Sequence, residues 1–208
     1  MALAEDVVFP DMQLHLHAIA QGLPPAPSND LDPYLDAAAV CFARHGIGRT
    51  SVPDIARELG VSRTTVYRQV GTVQQTARLL LTRELHRLLA DLPAALAGAA
   101  GPSTMTRLIA AVTQFAWGHP VVAKVLADEP ELIGPFLTGE LPELVARISA
   151  ITTPLLDRAM TAGLVRQGDP ALLAEFLVRT TISLVVAPPP GDLHEFLDQT
   201  VLAILAPT

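Results

Sequence analysis

Cysteine occurs once in this chain, aromatic residues make up 4% of it, and its first 43 residues contain no lysine or arginine. A single cysteine excludes an internal disulfide and fits a reducing compartment. Cys41 sits in the apolar stretch AAVCFA and reads as a buried structural thiol. Scarce aromatics and few β-branched runs argue against strands, so the core must come from Ala, Leu, Val and Ile. An all-α fold is expected. No apolar run reaches the roughly 18 residues needed to cross a bilayer. The amino-terminal MALAEDVVFPD is acidic and lacks the basic start and apolar centre of a secretory signal. The expectation is a cytoplasmic protein with no membrane partner.

Catalytic signatures are missing too. There is no GxSxG, P-loop, HExxH or Cys/His cluster, so the sequence gives no reason to expect an enzyme, a metal or a cofactor. His15 and His17 stand two apart in what reads as a mobile arm. His119 precedes Pro120 and reads as turn packing. Asp128, Glu129 and Glu131 flank Pro130 and read as solvated charges near helix ends.

The net charge of −7 is unevenly spread. Residues 1–43 hold six acids, residues 44–91 hold eight arginines against four acids, and residues 92–208 hold six bases and eleven acids. Acidic ends repel a polyanion, so any nucleic-acid contact should fall in the middle segment.

Pro-rich QGLPPAPSND makes residues 1–31 an expected arm or linker. From Asp32 to His45, Leu35, Ala38, Ala39 and Phe42 recur at helical spacing, and Gly46 and Gly48 close the helix. Ser51 and Asp54 have capping-box spacing, with Pro53 in the first turn of a short helix that buries Ile55 and Leu59. Gly60-Val61-Ser62 forms a tight turn, Ser62 caps the next helix, and Val61, Val66 and Val70 are the expected core residues. Gly71 ends it. Thr72 and Gln75 then make a second capping box, opening a long helix to about Asp91 with Ala77, Leu80, Leu81, Leu85, Leu88 and Leu89 on its apolar side. Pro93 and AGAAGP are expected to stop it. Further helices are expected at about 103–117, 119–128, 131–138, 141–164 (kinked at Pro154), 170–187 and 192–206. The expected domains are an arm (1–31), a three-helix helix-turn-helix domain (32–92) and a helical regulatory domain (93–208).

Two short helices joined by a three-residue glycine turn make a helix-turn-helix, whose second helix enters the major groove of double-stranded DNA. Its leading residues here are Arg63, Thr64 and Thr65, preceded by Ser62. Arginine pairs with guanine O6 and N7, and a threonine methyl meets the thymine methyl. Tyr67 and Arg68, one turn on, suit phosphates, as do Thr50 and Ser51 near the preceding helix. The sequence FARHG, then RTSVPDIARELGVSRTTVYRQVGT, then a long helix resembles the TetR family of bacterial transcriptional regulators over about residues 32–81. Two positions depart from that family's pattern: Val73 stands where relatives carry a phosphate-binding lysine, and Val70 where they carry an aromatic.

That resemblance implies a repressor acting as a homodimer on an inverted-repeat operator and released by a small apolar effector. It also implies an effector pocket among the middle helices, for which Met105, Ile109, Val112, Phe115, Trp117, Phe136, Met160 and Phe176 are the bulky candidates. Arg179 is the polar candidate, or else a partner for Glu175. The last two helices, with Leu173, Leu177, Leu184, Phe196, Leu197, Val201 and Ile204, are the expected dimer interface. Two alternatives stand beside this reading: a regulator governed by a protein partner, and a helix-turn-helix enzyme of nucleic acid.

Overall fold

The computed structural model describes residues 12–207, whose regular elements are all helical. The acidic stretch 1–11, weighed above as a signal sequence, lies outside the described residues. The described residues divide into two compact units, one drawn from residues 23–88 and 116–138, the other from 12–22, 89–115 and 139–207.

The first unit holds α2 (Asp32–His45), α3 (Val52–Leu59), α4 (Arg63–Val70) and most of α5 (Val73–Ala95), with α7 (Pro120–Asp128) and α8 (Pro130–Pro135). Local chemistry sets each boundary. Ser51 donates its backbone N–H to the Asp54 carboxylate at 3.0 Å, closing the N-terminus of α3. Gly60 ends that helix at φ +73, in the left-handed region that glycine enters freely. Ser62 Oγ then accepts the Thr65 N–H at 3.1 Å and starts α4. Thr72 N–H bonds to Gln75 Oε1 at 2.8 Å and Gln75 N–H to Thr72 Oγ1 at 3.2 Å, so the second capping box opens α5.

Leu35, Phe42, Ile55 and Val66 are fully buried at the centre of this unit, joined by Val70, Val73, Leu80 and, from α7, Val121. Each such side chain contributes about 1.5–3 kcal/mol by leaving water. The two departures from the family pattern, Val70 and Val73, are therefore core residues. Cys41 is buried here, and burial followed by nearby Glu58 and Asp54 raises its thiol pKa, which suits an inert thiol. Three apolar positions differ from the sequence reading. Val61 in the turn is 36% exposed, Leu59 is half-buried, and Leu81 on α5 is 56% exposed. Leu81 sits about 100° around the helix from buried Leu80, which turns it off the packed face.

The second unit contains α1 (Met12–Gln21), the start of α6 (Ser103–Gly118), α9 (Leu141–Thr161) and α10 (Pro170–Val186). It ends with α11 (Leu193–Leu197), a π-helical turn (Asp198–Leu202) and α12 (Ala203–Leu205). Helices α9 and α10 pack on one another, with Leu155, Leu156, Ala159 and Ala174 almost wholly buried. The Arg166 N–H donates to the Leu205 carbonyl at 2.9 Å, tying the loop after α9 to the chain's last helix.

Two expectations change in this unit. Residues 12–21, read as arm, form a helix that packs on α9 and buries Met12, His15 and Leu16, an i, i+3, i+4 stripe. Pro93 does not stop α5, which runs on to Ala95 with Leu92 and Leu96 buried on either side. Pro154 lies inside α9 and Pro135 inside α8. Among the described residues no helix is long and apolar enough to cross a membrane.

Candidate nucleic-acid interface

The eight residues of α4 divide by helical geometry. Val66 and Val70, four apart, point into the core at 0% and 2% exposure. Arg63, Thr64, Tyr67 and Arg68 are left on the outer side, all exposed. Ser62 and Thr65 are tied together by a 2.9 Å contact between their hydroxyls, so the start of the helix is held rigid.

The arginines of the basic segment are of two kinds. Arg44 pairs with Glu58, Arg57 with Asp54, and Arg83 and Arg87 with carboxylates of α2 and α5. Arg49 makes a longer pair with Asp128 at 4.0 Å. Arg63 and Arg68 on α4, and Arg78 on α5, have no hydrogen-bond or ion-pair partner among the described residues and stand in solvent. Cations presented without protein partners on one short helix are what a phosphate backbone and guanine edges require.

Beside α4 a shallow cleft is lined by Ile47, Gly48, Ser51, Tyr67, Thr72 and Gln74 among others. It brings the first turn of α3 and the first turn of α5 to one place, where their backbone N–H groups favour an anion. Ser51 is exposed here, with its hydroxyl on the Asp54 carboxylate. The Ser51 hydrogen bonds lower the Asp54 pKa and keep it charged. Thr50 is placed differently from expectation. It is 7% exposed and donates its hydroxyl to the Gly46 carbonyl at 2.6 Å, so it braces the turn from inside. Thr72 and Gln74 were not among the sequence candidates, although the Thr72–Gln75 capping box had already marked a helix start there. Glu129, read as a solvated charge, is 2% exposed and accepts two backbone N–H groups of the α2–α3 turn. Asp128 is exposed as expected, pairing with Lys124, and Glu131 is exposed.

The effector candidates scatter. Met105, Ile109 and Met160 are buried in the second unit, while Val112 and Phe115 are half-buried there. Trp117 is half-buried and belongs to the first unit, as does Phe136, which starts the π-helical turn Phe136–Glu140 and whose side chain is outside the described residues. Phe176 is 42% exposed, and Arg179 is exposed with its Nη2 2.7 Å from Glu175 Oε1, so neither lines an interior pocket. The interface candidates divide as well. Leu177 and Leu184 on α10, which packs on α9, and Leu197 and Val201 near the end of the chain are buried within it. Leu173 and Phe196 are half-buried, and Ile204 is 43% exposed. Exposed apolar side chains on α10 are instead Leu172, Phe176 and Val186.

The profile of the family described as "Bacterial regulatory proteins, tetR family" matches residues 35–69, spanning α2 to α4. An uncharacterized HTH-type transcriptional regulator of Mycobacterium bovis is 27% identical over 169 residues, covering 81% of this chain and 86% of its own. Among solved structures, the fatty acid degradation regulator FadR from Bacillus halodurans superposes with a TM-score of 0.64 at 20% identity, covering 87% of this chain and 97% of its own. The TetR family repressor AlkX from Dietzia sp., implicated in biodegradation of n-alkanes, superposes with a TM-score of 0.53 at 18% identity, covering 83% and 98%.

Proposed function

We propose that the chain is a member of the TetR family of bacterial transcriptional regulators, a cytoplasmic homodimeric repressor that holds an inverted-repeat operator until a small apolar ligand binds. DNA reading falls to residues 32–92, and ligand response with dimerisation to 93–208. The observation that carries this is α4: five exposed polar residues, two of them arginines with no partner among the described residues, on a helix whose other face is core. Arg63 and Thr64 read base edges, Tyr67 and Arg68 hold phosphates, Ser51 joins them by turning its hydroxyl from Asp54 to a phosphate, and two-fold symmetry of the protein is mirrored in the operator.

The ligand reading draws support from the second unit's chemistry. Its core is apolar, yet Thr113 is fully buried and its hydroxyl has no hydrogen-bond partner among the described residues; the same holds for Thr104 Oγ1. A buried hydroxyl without a partner costs about 1–3 kcal/mol, and a ligand's polar end would recover that. Structural relatives are connected by name with fatty acids, ketosteroids and n-alkanes, which suits an apolar ligand. Regulation requires the ligand to prefer the conformation that binds operator poorly. The experiment is a screen of fatty acids, acyl thioesters, sterols and alkanes for release of a bound duplex. Release by an apolar compound, abolished in Thr113→Val, supports the reading; release by no compound of these classes contradicts it.

A further inference from the structure

Glu129 stands immediately after α7 and closes it, its N–H bonding to the Val125 carbonyl at 3.0 Å. The side chain then enters the turn between α2 and α3. Oε2 accepts the Ile47 N–H and Oε1 the Gly48 N–H, each at 2.7 Å, in a residue only 2% exposed. A carboxylate withdrawn from water is unfavourable unless its oxygens are hydrogen-bonded. Here each oxygen has one backbone donor, and charge-assisted bonds of this length are the strong kind.

The turn is shaped to receive it. Gly46 has φ +89, and a Cβ there would lie 2.6 Å from Glu129 Oε1. At Gly48 a Cβ would lie 3.1 Å from the same oxygen. Thr50 closes the turn from its other side through the Gly46 carbonyl, and Arg49 Nε donates to the His45 carbonyl at 2.9 Å. The next residue is Ser51, the N-cap of α3, and Gly48 and Ser51 both line the cleft shared with Tyr67 and Thr72.

We propose that Glu129 is a positioning residue for DNA binding: its carboxylate fixes the 46–48 turn so that Arg49, Ser51 and the first turn of α3 are held ready for the DNA backbone. A turn ordered beforehand spares the complex the entropy of ordering it on binding. The proposal rests on the DNA-reading role of α4 given above.

The experiment uses the full chain and a duplex that the wild type selects from a randomised library. Glu129→Gln keeps the side chain's size but leaves one carbonyl acceptor and sets an amide N–H against the second backbone N–H. Its affinity is expected to fall about tenfold, the loss of one charge-assisted hydrogen bond's worth of preorganisation. The slope of log K against log salt should become shallower by about one phosphate contact. The amide resonances of Ile47 and Gly48 should move while those of α4 stay. Gly48→Ala keeps the charge and pushes the carboxylate, so it should act in the same direction by a smaller factor; it decides the matter if Glu129→Gln does not fold. Wild-type affinity and salt slope in a folded variant whose Ile47 and Gly48 resonances have moved would overturn the proposal. So would a loss of affinity at unchanged slope, which marks a merely structural role. If the wild type itself selects no duplex, the DNA-reading role fails first and the positioning role with it.

Discussion

Arg83 Nη1 on α5 lies 3.0 Å from Asp32 Oδ1 in the first turn of α2. The same guanidinium reaches Asp36 at 2.8 Å and Glu84 at 2.9 Å while its own side chain is 8% exposed. Burial opposes its charge, but the hydrogen bonds it donates to Asp32, Glu84 and Asp36 outweigh that and raise its pKa. Arg83→Met keeps the apolar stem and leaves three carboxylates close together. It should destabilise the protein by about 2 kcal/mol, below the 3–5 kcal/mol of a fully buried pair because Asp36 remains 63% exposed. Urea unfolding read by circular dichroism measures this.

His15 makes stability depend on pH. Burial in the α1–α9 packing lowers its pKa to about 4, against an opposing hydrogen bond to the Ile151 backbone, and Arg158 adds to the lowering. His119 is lowered in the same direction, chiefly by burial. Between pH 6.5 and 4 the unfolded chain binds the proton and the folded chain does not, so stability falls as pH falls through that window and levels off below it. For His15 the full loss is about 3 kcal/mol, from 1.36 kcal/mol per pKa unit. Melting temperatures from pH 7.5 to pH 4 should fall for the wild type and fall less for His15→Gln. Equal pH dependence in both would show that His15 is not the group responsible.

The surface of α10 separates core from the proposed dimer interface. Leu172, Phe176 and Val186 share an exposed face with 67%, 42% and 37% exposure, whereas Leu184 is 5% exposed. Phe176→Asp should yield a folded monomer at micromolar concentration by sedimentation equilibrium, with an unchanged helical spectrum. Leu184→Asp should instead fail to fold, since it buries an unpaired charge. A wild-type monomer under the same conditions contradicts the dimer.

The helix-turn-helix was legible because its information is local: capping pairs at Ser51–Asp54 and Thr72–Gln75, a left-handed glycine at 60, and Val66–Val70 at helical spacing. What was hidden depends on residues far apart in sequence. Glu129 sits beside Pro130 among other acids, and nothing local tells that its partners are the N–H groups of Ile47 and Gly48, some eighty positions earlier. The leucines of α10 were hidden for a related reason. The helix is apolar on several faces, so spacing alone does not say which face meets α9 and which meets solvent. Likewise Met12, His15 and Leu16 form a helical stripe too short to stand out beside the Pro-rich stretch that follows.

Selection from a randomised duplex library by wild type and four α4 variants tests the DNA-reading role most directly. Arg63→Ala and Thr64→Ala should change base preference at defined positions, each by about 1–3 kcal/mol for a good base contact. Arg68→Ala and Tyr67→Phe should weaken binding to all sequences alike and leave the preference intact. Four folded variants that all keep wild-type affinity and preference would contradict the assignment of α4 as the reading helix.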